Sequence, residues 1–152
     1  DLNQLILESL ELFKNSQYWT GQMKALTDFR DPISMESDPE QIKQVLWNLF
    51  LNACEAMPDG GAFHVTTDLR SNGSRSDQTR VNIAVRDTGN GFDANVLKQI
   101  FTPFFTTKEE GSGLGLAIVK RIMQGLQGEV YGSNHPEGGA EINITLPVSP
   151  SR

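Results

Sequence analysis

The chain has 152 residues, of which 38% are hydrophobic, and thirteen Lys and Arg stand against nineteen Asp and Glu, giving a formal net charge of −6. This length suits one domain with one core, and the acidic balance disfavours nucleic acid and anionic membrane surfaces as partners. A single cysteine, Cys54, excludes an internal disulfide and is typical of a reducing, cytoplasmic compartment, and no stretch approaches the roughly 20 apolar residues that span a bilayer.

The first third of the chain predicts two helices and a short strand. Apolar residues recur at three- and four-residue steps over residues 1–16, which indicates an amphipathic helix. A short strand is expected around Met23 to Leu26. Asp38 and Pro39 then suit the N-cap and first turn of a second helix, which should run to about Met57. We interpret the start of the chain, which is neither a signal peptide nor an initiator methionine, as that of a piece of a larger protein.

One polar stripe runs along an otherwise apolar second helix. It consists of Gln44, Asn48, Asn52 and Glu55, spaced so that they share one face. A helix that is apolar nearly all round is normally buried, so these side chains need partners. The stripe is therefore either an ordinary solvated face or the wall of a polar cleft.

Two alternating segments, 63–69 and 81–85, predict a pair of half-buried strands joined by a polar loop, 71–79. Asp87 continues the parity of Val81 and Val85, which places its carboxylate on the core side. A buried carboxylate requires hydrogen-bond donors. Asp87 therefore either caps the turn that Gly89 and its neighbours begin or accepts a ligand.

The last third predicts a short helix near Asp93, a longer helix opened by three alternating glycines and closed by Gly128, and two final strands, 129–133 and 140–146. Strands interspersed with about three sizeable helices, without strict alternation, indicate an α/β two-layer sandwich with a mixed sheet. We expect one domain over residues 1–152.

The three alternating glycines, Gly111, Gly113 and Gly115, lead directly into a helix. Free main-chain N–H groups and the positive end of the helix dipole make such a place suitable for an anion. The segment is neither a dinucleotide fingerprint, because Leu116 stands where the third glycine belongs, nor a Walker loop. A merely flexible loop is the other interpretation of the glycines alone.

Four motifs occur in an order that resembles the N box, first glycine box, F box and second glycine box of the ATP-binding catalytic domain of sensor histidine kinases. They are Asn48-Leu49-Phe50-Leu51-Asn52-Ala53, Asp87-Thr88-Gly89-Asn90-Gly91, Phe101-Thr102-Pro103-Phe104-Phe105-Thr106-Thr107-Lys108 and Gly111-Ser112-Gly113-Leu114-Gly115-Leu116. The resemblance extends from about Asp1 to Pro147. The run from Asn48 to Met57, followed by Pro-Asp-Gly-Gly, looks most like the nitrogen-regulation branch.

This resemblance implies the Bergerat-type ATP-binding fold that gyrase, Hsp90, histidine kinases and MutL share, with a mobile lid over the nucleotide. It implies that Asp87 accepts the adenine amino group, while the two glycines that follow let the main chain pass the base. It also implies that Asn52 binds Mg²⁺ with Asn48 assisting at the phosphates, and that Lys108 reaches the γ-phosphate. The residues implied to hold the base and the phosphates are Gly89, Gly91, Gly111, Gly113, Leu114, Gly115 and Leu116.

The chemistry of these residues agrees with those implied roles. A core-facing carboxylate suits the amino group of adenine and opposes the carbonyl of guanine, which predicts ATP over GTP. Mg²⁺ needs few protein ligands beside water and phosphate oxygens, and amide oxygens are hard enough to serve. The residues between Gly91 and Gly111, which contain the short helix and the polar segment from Thr106 to Glu110, are expected to form the lid.

The resemblance implies transfer of the phosphoryl group to a histidine rather than hydrolysis. In the hydrolytic relatives a Glu at the place of Asn48 activates water, and an amide cannot act as that base. Neither His64, in a strand, nor His135, before a proline in a turn, resembles the acceptor motif of the family. We therefore expect the acceptor on a dimerisation domain absent from this chain, a response regulator as the next recipient, and a monomeric isolated domain.

Two other functions remain open from the residues. The chain could be a nucleotide-binding regulatory module without catalysis, or a serine-directed kinase of the anti-sigma type on the same fold. The phosphorylated product separates these alternatives from a histidine kinase. A histidine kinase gives acid-labile phosphohistidine, a serine-directed kinase gives acid-stable phosphoserine, and a regulatory module gives neither. The roles of Glu55 and Thr145, the latter either a strand former or a phosphate contact, stay undetermined.

Overall fold

The computed structural model describes residues 1–30, 32–71, 79–103 and 115–149. The helices in these residues are α1 (Leu2–Lys14), α2 (Pro39–Glu55), α3 (Ala94–Leu97) and α4 (Gly115–Gly125). The strands are β1 (Met23–Phe29), β2 (Gly61–Ser71), β3 (Thr79–Asp87), β4 (Glu129–Asn134) and β5 (Ala140–Pro147). None of these helices combines the length and the apolar character that crossing a bilayer demands.

The described strands form one mixed sheet in the order β1-β2-β3-β5-β4. β1 and β2 run parallel, as their connection through the long crossover helix α2 requires. The other pairs are antiparallel, with Phe63 opposite Asp87 in β2 and β3, and Val85 opposite Ile142 in β3 and β5. The register sets Asp87, the last residue of β3, next to the start of β5.

The core lies between one face of the sheet and the helices. α2 begins where the carboxylate of Asp38 accepts hydrogen bonds from the N–H groups of Glu40 and Gln41, and most of its apolar side chains are buried. Inward-facing residues of β2, β3 and β5 alternate with polar residues on the opposite face of the sheet. The buried set that α2 and these strands share is Val45, Leu46, Leu49, Phe50, Phe63, Val65, Val81, Ile83, Val85, Ile142, Ile144 and Leu146. The α/β two-layer arrangement predicted from the sequence is confirmed.

Element ends differ from the sequence prediction by a few residues, for local reasons. β1 extends to Phe29, beyond the stretch that its composition suggests, because pairing with β2 supplies the hydrogen bonds. At the end of α4 the left-handed residue is Gln127, with φ of 63°, and the N–H of Gly128 donates to Met123 O at 2.7 Å. Gly128 is thus the second residue of a Schellman-type ending and not the residue with positive φ.

Candidate functional site

Asp87 is the most buried charged side chain among the described residues, with 2% of its surface exposed. Its Oδ1 accepts hydrogen bonds from the N–H of Gly89 at 2.9 Å and from the N–H of Ala140, the first residue of β5, at 3.2 Å. The parity argument that placed Asp87 on the core side is confirmed. The bond from Gly89 is the turn cap that the sequence allows as one role of Asp87, and the two main-chain donors together fix the carboxylate in one orientation.

Glycines surround this carboxylate at points where no side chain fits. A Cβ on Gly89 would overlap the carbonyl oxygen of Ala56 at the end of α2, and one on Gly139 would overlap that of Asp87. Gly91 and Gly139 also adopt positive φ values of 77° and 85°. The chain after β3 therefore passes tightly between the end of α2 and the β4–β5 turn.

Thr88 ties the same turn to the end of α2 and the start of β2. Its Oγ1 accepts from the N–H of Ala62 at 3.3 Å, and its N–H lies 3.4 Å from the sulfur of Met57. Met57 is buried, so the sulfur is a fixed acceptor at the floor of this region. The sulfur contact of Met57 could not be predicted from the sequence, because its partner Thr88 lies 31 positions further along the chain.

The polar stripe of α2 forms the second side of the candidate site. Burial along it rises from exposed Gln44 through half-buried Asn48 to Asn52, which is 9% exposed. The side chain of Asn48 donates to Gln44 O at 2.9 Å, and a Cβ on Gly115 would lie 3.3 Å from Asn48 Oδ1. The middle of the stripe is therefore sheltered, with Asn48 beside the start of α4, while the stripe is exposed at Gln44 and at Glu55.

The next residues of α2 are not a reactive centre. Burial, reinforced by the negative charge of the neighbouring Glu55, raises the pKa of the Cys54 thiol from 9.0 to about 11. Cys54 is therefore a neutral thiol at physiological pH and packs against the core. Glu55 is exposed and interacts with other parts of the protein, so it continues the stripe at its outer end.

Several of the residues predicted for the phosphate end lie outside the described residues. These are Lys108, Gly111, Gly113 and Leu114, together with the proposed lid segment from Thr106 to Glu110. Of the second glycine box, Gly115 begins α4 and Leu116 packs half-buried against the core. The described part thus brings together Asn48 and Gly115 at one place, and Asp87, Gly89 and Gly91 at another.

His64 and Thr145 lie on the outer sheet face, and His135 lies in the β4–β5 turn. His64 is on the sheet face opposite the helices, across from Arg86. His135 is in the β4–β5 turn, where its Nδ1 accepts from the N–H of Glu137 at 3.2 Å. Thr145 shares the outer sheet face and lies 3.4 Å from Arg80 Nη2, a strand position and not a cleft position. Within the described ranges, no three His, Cys, Asp or Glu side chains cluster as a metal site would need.

Residues 37–150 match the family model described as histidine kinase-, DNA gyrase B- and HSP90-like ATPase. The chain belongs to this family. Its mixed sheet and helices are thus the fold of a histidine-kinase-like ATPase domain.

Relatives and solved structures of this ATPase family agree. The chain is 38% identical to the sensor histidine kinase ZraS of Klebsiella oxytoca over 98% of its length, and 35% identical to sporulation kinase A of Bacillus subtilis over 97%. It spans only 31% and 23% of those two proteins. The catalytic domain of the histidine kinase ThkA superimposes with a TM-score of 0.81 at 29% identity, covering 98% of this chain and 93% of that one. Full-length ShkA in complex with AMPPNP gives 0.80 at 26% identity, covering 99% of this chain and 31% of that one.

Proposed function

We propose that this chain is the ATP-binding catalytic domain of a sensor histidine kinase, spanning residues 1–152, and that it transfers the γ-phosphoryl group of ATP to a histidine on a separate dimerisation domain. The observation that carries the proposal is the buried carboxylate of Asp87, fixed by the N–H groups of Gly89 and Ala140 beside a turn of close-packed glycines. The histidine kinases among the relatives, and the AMPPNP in the complex with ShkA, support it.

At the adenine end, the fixed carboxylate accepts the C6 amino group of the base. Oδ1 accepts from two main-chain donors, which hold the carboxylate in place, and in this proposal the carboxylate accepts the adenine amino group through Oδ2. Guanine carries a carbonyl at C6, which would set acceptor against acceptor in a buried place. The domain therefore selects ATP over GTP.

At the phosphate end, the residues present suit a magnesium nucleotide. The amide oxygens of Asn52 and Asn48 are hard, neutral ligands on one face of α2, and Gly115 lets the phosphates approach Asn48 closely. Mg²⁺ supplies charge neutralisation at the phosphate oxygens when bound. Lys108 and the glycines Gly111 and Gly113 complete the phosphate contacts in this proposal.

The reaction is a transfer and not a hydrolysis. A ring nitrogen of the acceptor histidine forms a bond to the γ-phosphorus, the bond from that phosphorus to the β–γ bridging oxygen breaks, and ADP leaves with the electron pair. Asn48 orients the phosphates but has no basic group to deprotonate water. Glu55 is exposed two turns further along α2, past Asn52.

The acceptor and the next recipient lie outside this chain. His64 is on the opposite sheet face and His135 is in the β4–β5 turn, and because neither resembles the acceptor motif of the family, we assign the acceptor to another segment. A histidine on the dimerisation domain of the same kinase takes the phosphoryl group, and an aspartate of a response regulator receiver domain takes it next. The domain works as a monomer on the cytoplasmic side, where ATP is available.

The proposal is tested by mixing the chain with a dimerisation fragment of its own full-length protein and γ-labelled ATP. Acid-labile, base-stable phosphate on the fragment, absent with Asp87→Asn, is the expected result. Acid-stable phosphate would instead indicate a hydroxyl-directed kinase. If the chain binds nucleotide but labels no fragment, the result would indicate a nucleotide-binding module without catalysis.

A further inference from the structure

The side chain of Asn134, the last residue of β4, makes two hydrogen bonds to the main chain of Phe92, which lies 42 residues earlier in the chain. Asn134 Oδ1 accepts from the N–H of Phe92 at 2.7 Å, and Asn134 Nδ2 donates to Phe92 O at 2.6 Å. The side-chain amide of Asn134 thus satisfies both the N–H and the C=O of Phe92, as the main chain of a neighbouring strand would. Phe92 itself packs half-buried against the core.

The β4–β5 hairpin contacts the glycine turn at both of its ends. Asn134 pairs with Ala140 in the sheet, and the N–H of Ala140 donates to Asp87 Oδ1. One hairpin therefore fixes Asp87 at the start of the turn and Phe92 at its end. Gly91, between them, is so close that a Cβ would lie 2.7 Å from Asn134 Oδ1.

The tip of the β4–β5 hairpin is held in one conformation by its own hydrogen bonds and by an ion pair, so it can fix the position of the glycine turn beside it. The N–H of His135 donates to Gly139 O at 2.9 Å, and the N–H of Gly138 donates to His135 O at 2.9 Å. Glu137 lies 3.5 Å from Arg86 of β3, which joins the tip to the adjacent strand.

We propose that Asn134 is a positioning residue for nucleotide binding, which holds the Gly89–Phe92 turn in the conformation that brings Asp87 and the main chain against adenine. This inference rests on the proposed role of Asp87. Asn134 acts through the main chain of Phe92 and has no contact with the base. Loss of the amide frees one end of the turn, so ordering it becomes part of the free energy of nucleotide binding.

The first test is hydrogen exchange without nucleotide in Asn134→Ala and Asn134→Asp, with Asn15→Ala as the matched control. Asn15 is also exposed and also donates to a main-chain carbonyl, that of Glu11 at 3.0 Å, but far from the turn. Faster exchange at the amide of Phe92 follows from losing its acceptor in Asn134→Ala. The decisive amide is that of Gly89, three residues away, which we expect to exchange about tenfold faster in Asn134→Ala and unchanged in the control. Unchanged exchange at Gly89 would overturn the proposal.

The second test is the ATP affinity of the same variants. Two hydrogen bonds of ordinary strength predict a loss of roughly tenfold in Asn134→Ala. Asn134→Asp keeps the shape and the acceptor but sets a carboxylate against Phe92 O, so it should lose affinity as well. Wild-type affinity in both variants would overturn the positioning role. If the wild-type chain binds no ATP, that result would instead count against the proposed function. The exchange data would still decide whether the hydrogen bonds from Asn134 to Phe92 order the Gly89–Phe92 turn.

Discussion

Gly115 and Asn48 meet at the junction of α4 and α2: a Cβ on Gly115 would lie 3.3 Å from Asn48 Oδ1. This contact brings the last glycine of the second glycine box against the first asparagine of the N box. Positive charge at the start of α4 and an amide from α2 therefore face the same space. Phosphates held at the helix terminus would lie within reach of the α2 amides.

In the proposed function Asn48 decides the reaction type, so Asn48→Glu should raise ATP hydrolysis by the isolated chain by about tenfold or more. The new carboxylate supplies the base that the amide lacks. Asn48→Gln is the matched control, since it has the same length and no basic group. Phosphate release is measured with excess Mg-ATP. Equal rates for the two variants would show that a base at this position does not limit hydrolysis.

Asn52→Ala should weaken the dependence of ATP binding on Mg²⁺, with the half-saturating magnesium concentration rising about tenfold. The substitution removes a hard oxygen at the most buried position of the polar stripe. Gln44→Ala removes an amide from the exposed end of the same stripe and should leave the magnesium titration unchanged. An identical shift in both variants would place the metal elsewhere.

Gly139→Ala should lower the free energy of unfolding by about 3 kcal/mol or more, because its φ is positive and its Cβ would overlap the carbonyl of Asp87. Gly138→Ala, also at positive φ but with open space around its Cβ, should lose only about 1–2 kcal/mol. Urea denaturation of both variants measures the difference. Equal losses would mean that the close approach of Gly139 to Asp87 does not contribute.

At pH 8.5 the Cys54 thiol should react with iodoacetamide roughly a hundredfold more slowly in the folded chain than in the unfolded chain. Its raised pKa of about 11 leaves little thiolate in the folded chain. The folded chain holds this proton more tightly than the unfolded chain, so stability is lost as pH rises from about 9 towards 11. Glu55→Gln removes the smaller, coulombic cause and should speed the reaction modestly. Reaction as fast as in urea would contradict the burial of the thiol.

The sequence predicted those parts of the fold that depend on local patterns. The N-cap preference of Asp predicted the capping of α2 by Asp38, and the two-residue alternation of a strand predicted the inward orientation of Asp87. Both predictions are confirmed. The full length of β1 did not follow, because exposed Leu26 and polar Thr27 break its alternation and its partner β2 lies far along the chain.

The motif residues of the candidate site were predictable, but the contacts that hold them in place were not. Asp87 and the α2 asparagines belong to recognisable motifs. Ala140 contributes only a main-chain N–H, and Asn134 acts on Phe92 from 42 residues away, so neither leaves a signal in local sequence. Such contacts follow from the register of β4 with β5, which composition and periodicity do not define.

The most direct test of the account is a calorimetric titration of the chain with ATP and GTP, with and without Mg²⁺, in the wild type and in Asp87→Asn. The asparagine is isosteric, but its oxygen must stay with the two main-chain donors, so its NH₂ would face the amino group of adenine. We predict magnesium-dependent binding of ATP, none of GTP, and loss of ATP binding in the variant. Equal binding of ATP and GTP, or undiminished ATP binding by Asp87→Asn, would contradict the central role assigned to this carboxylate.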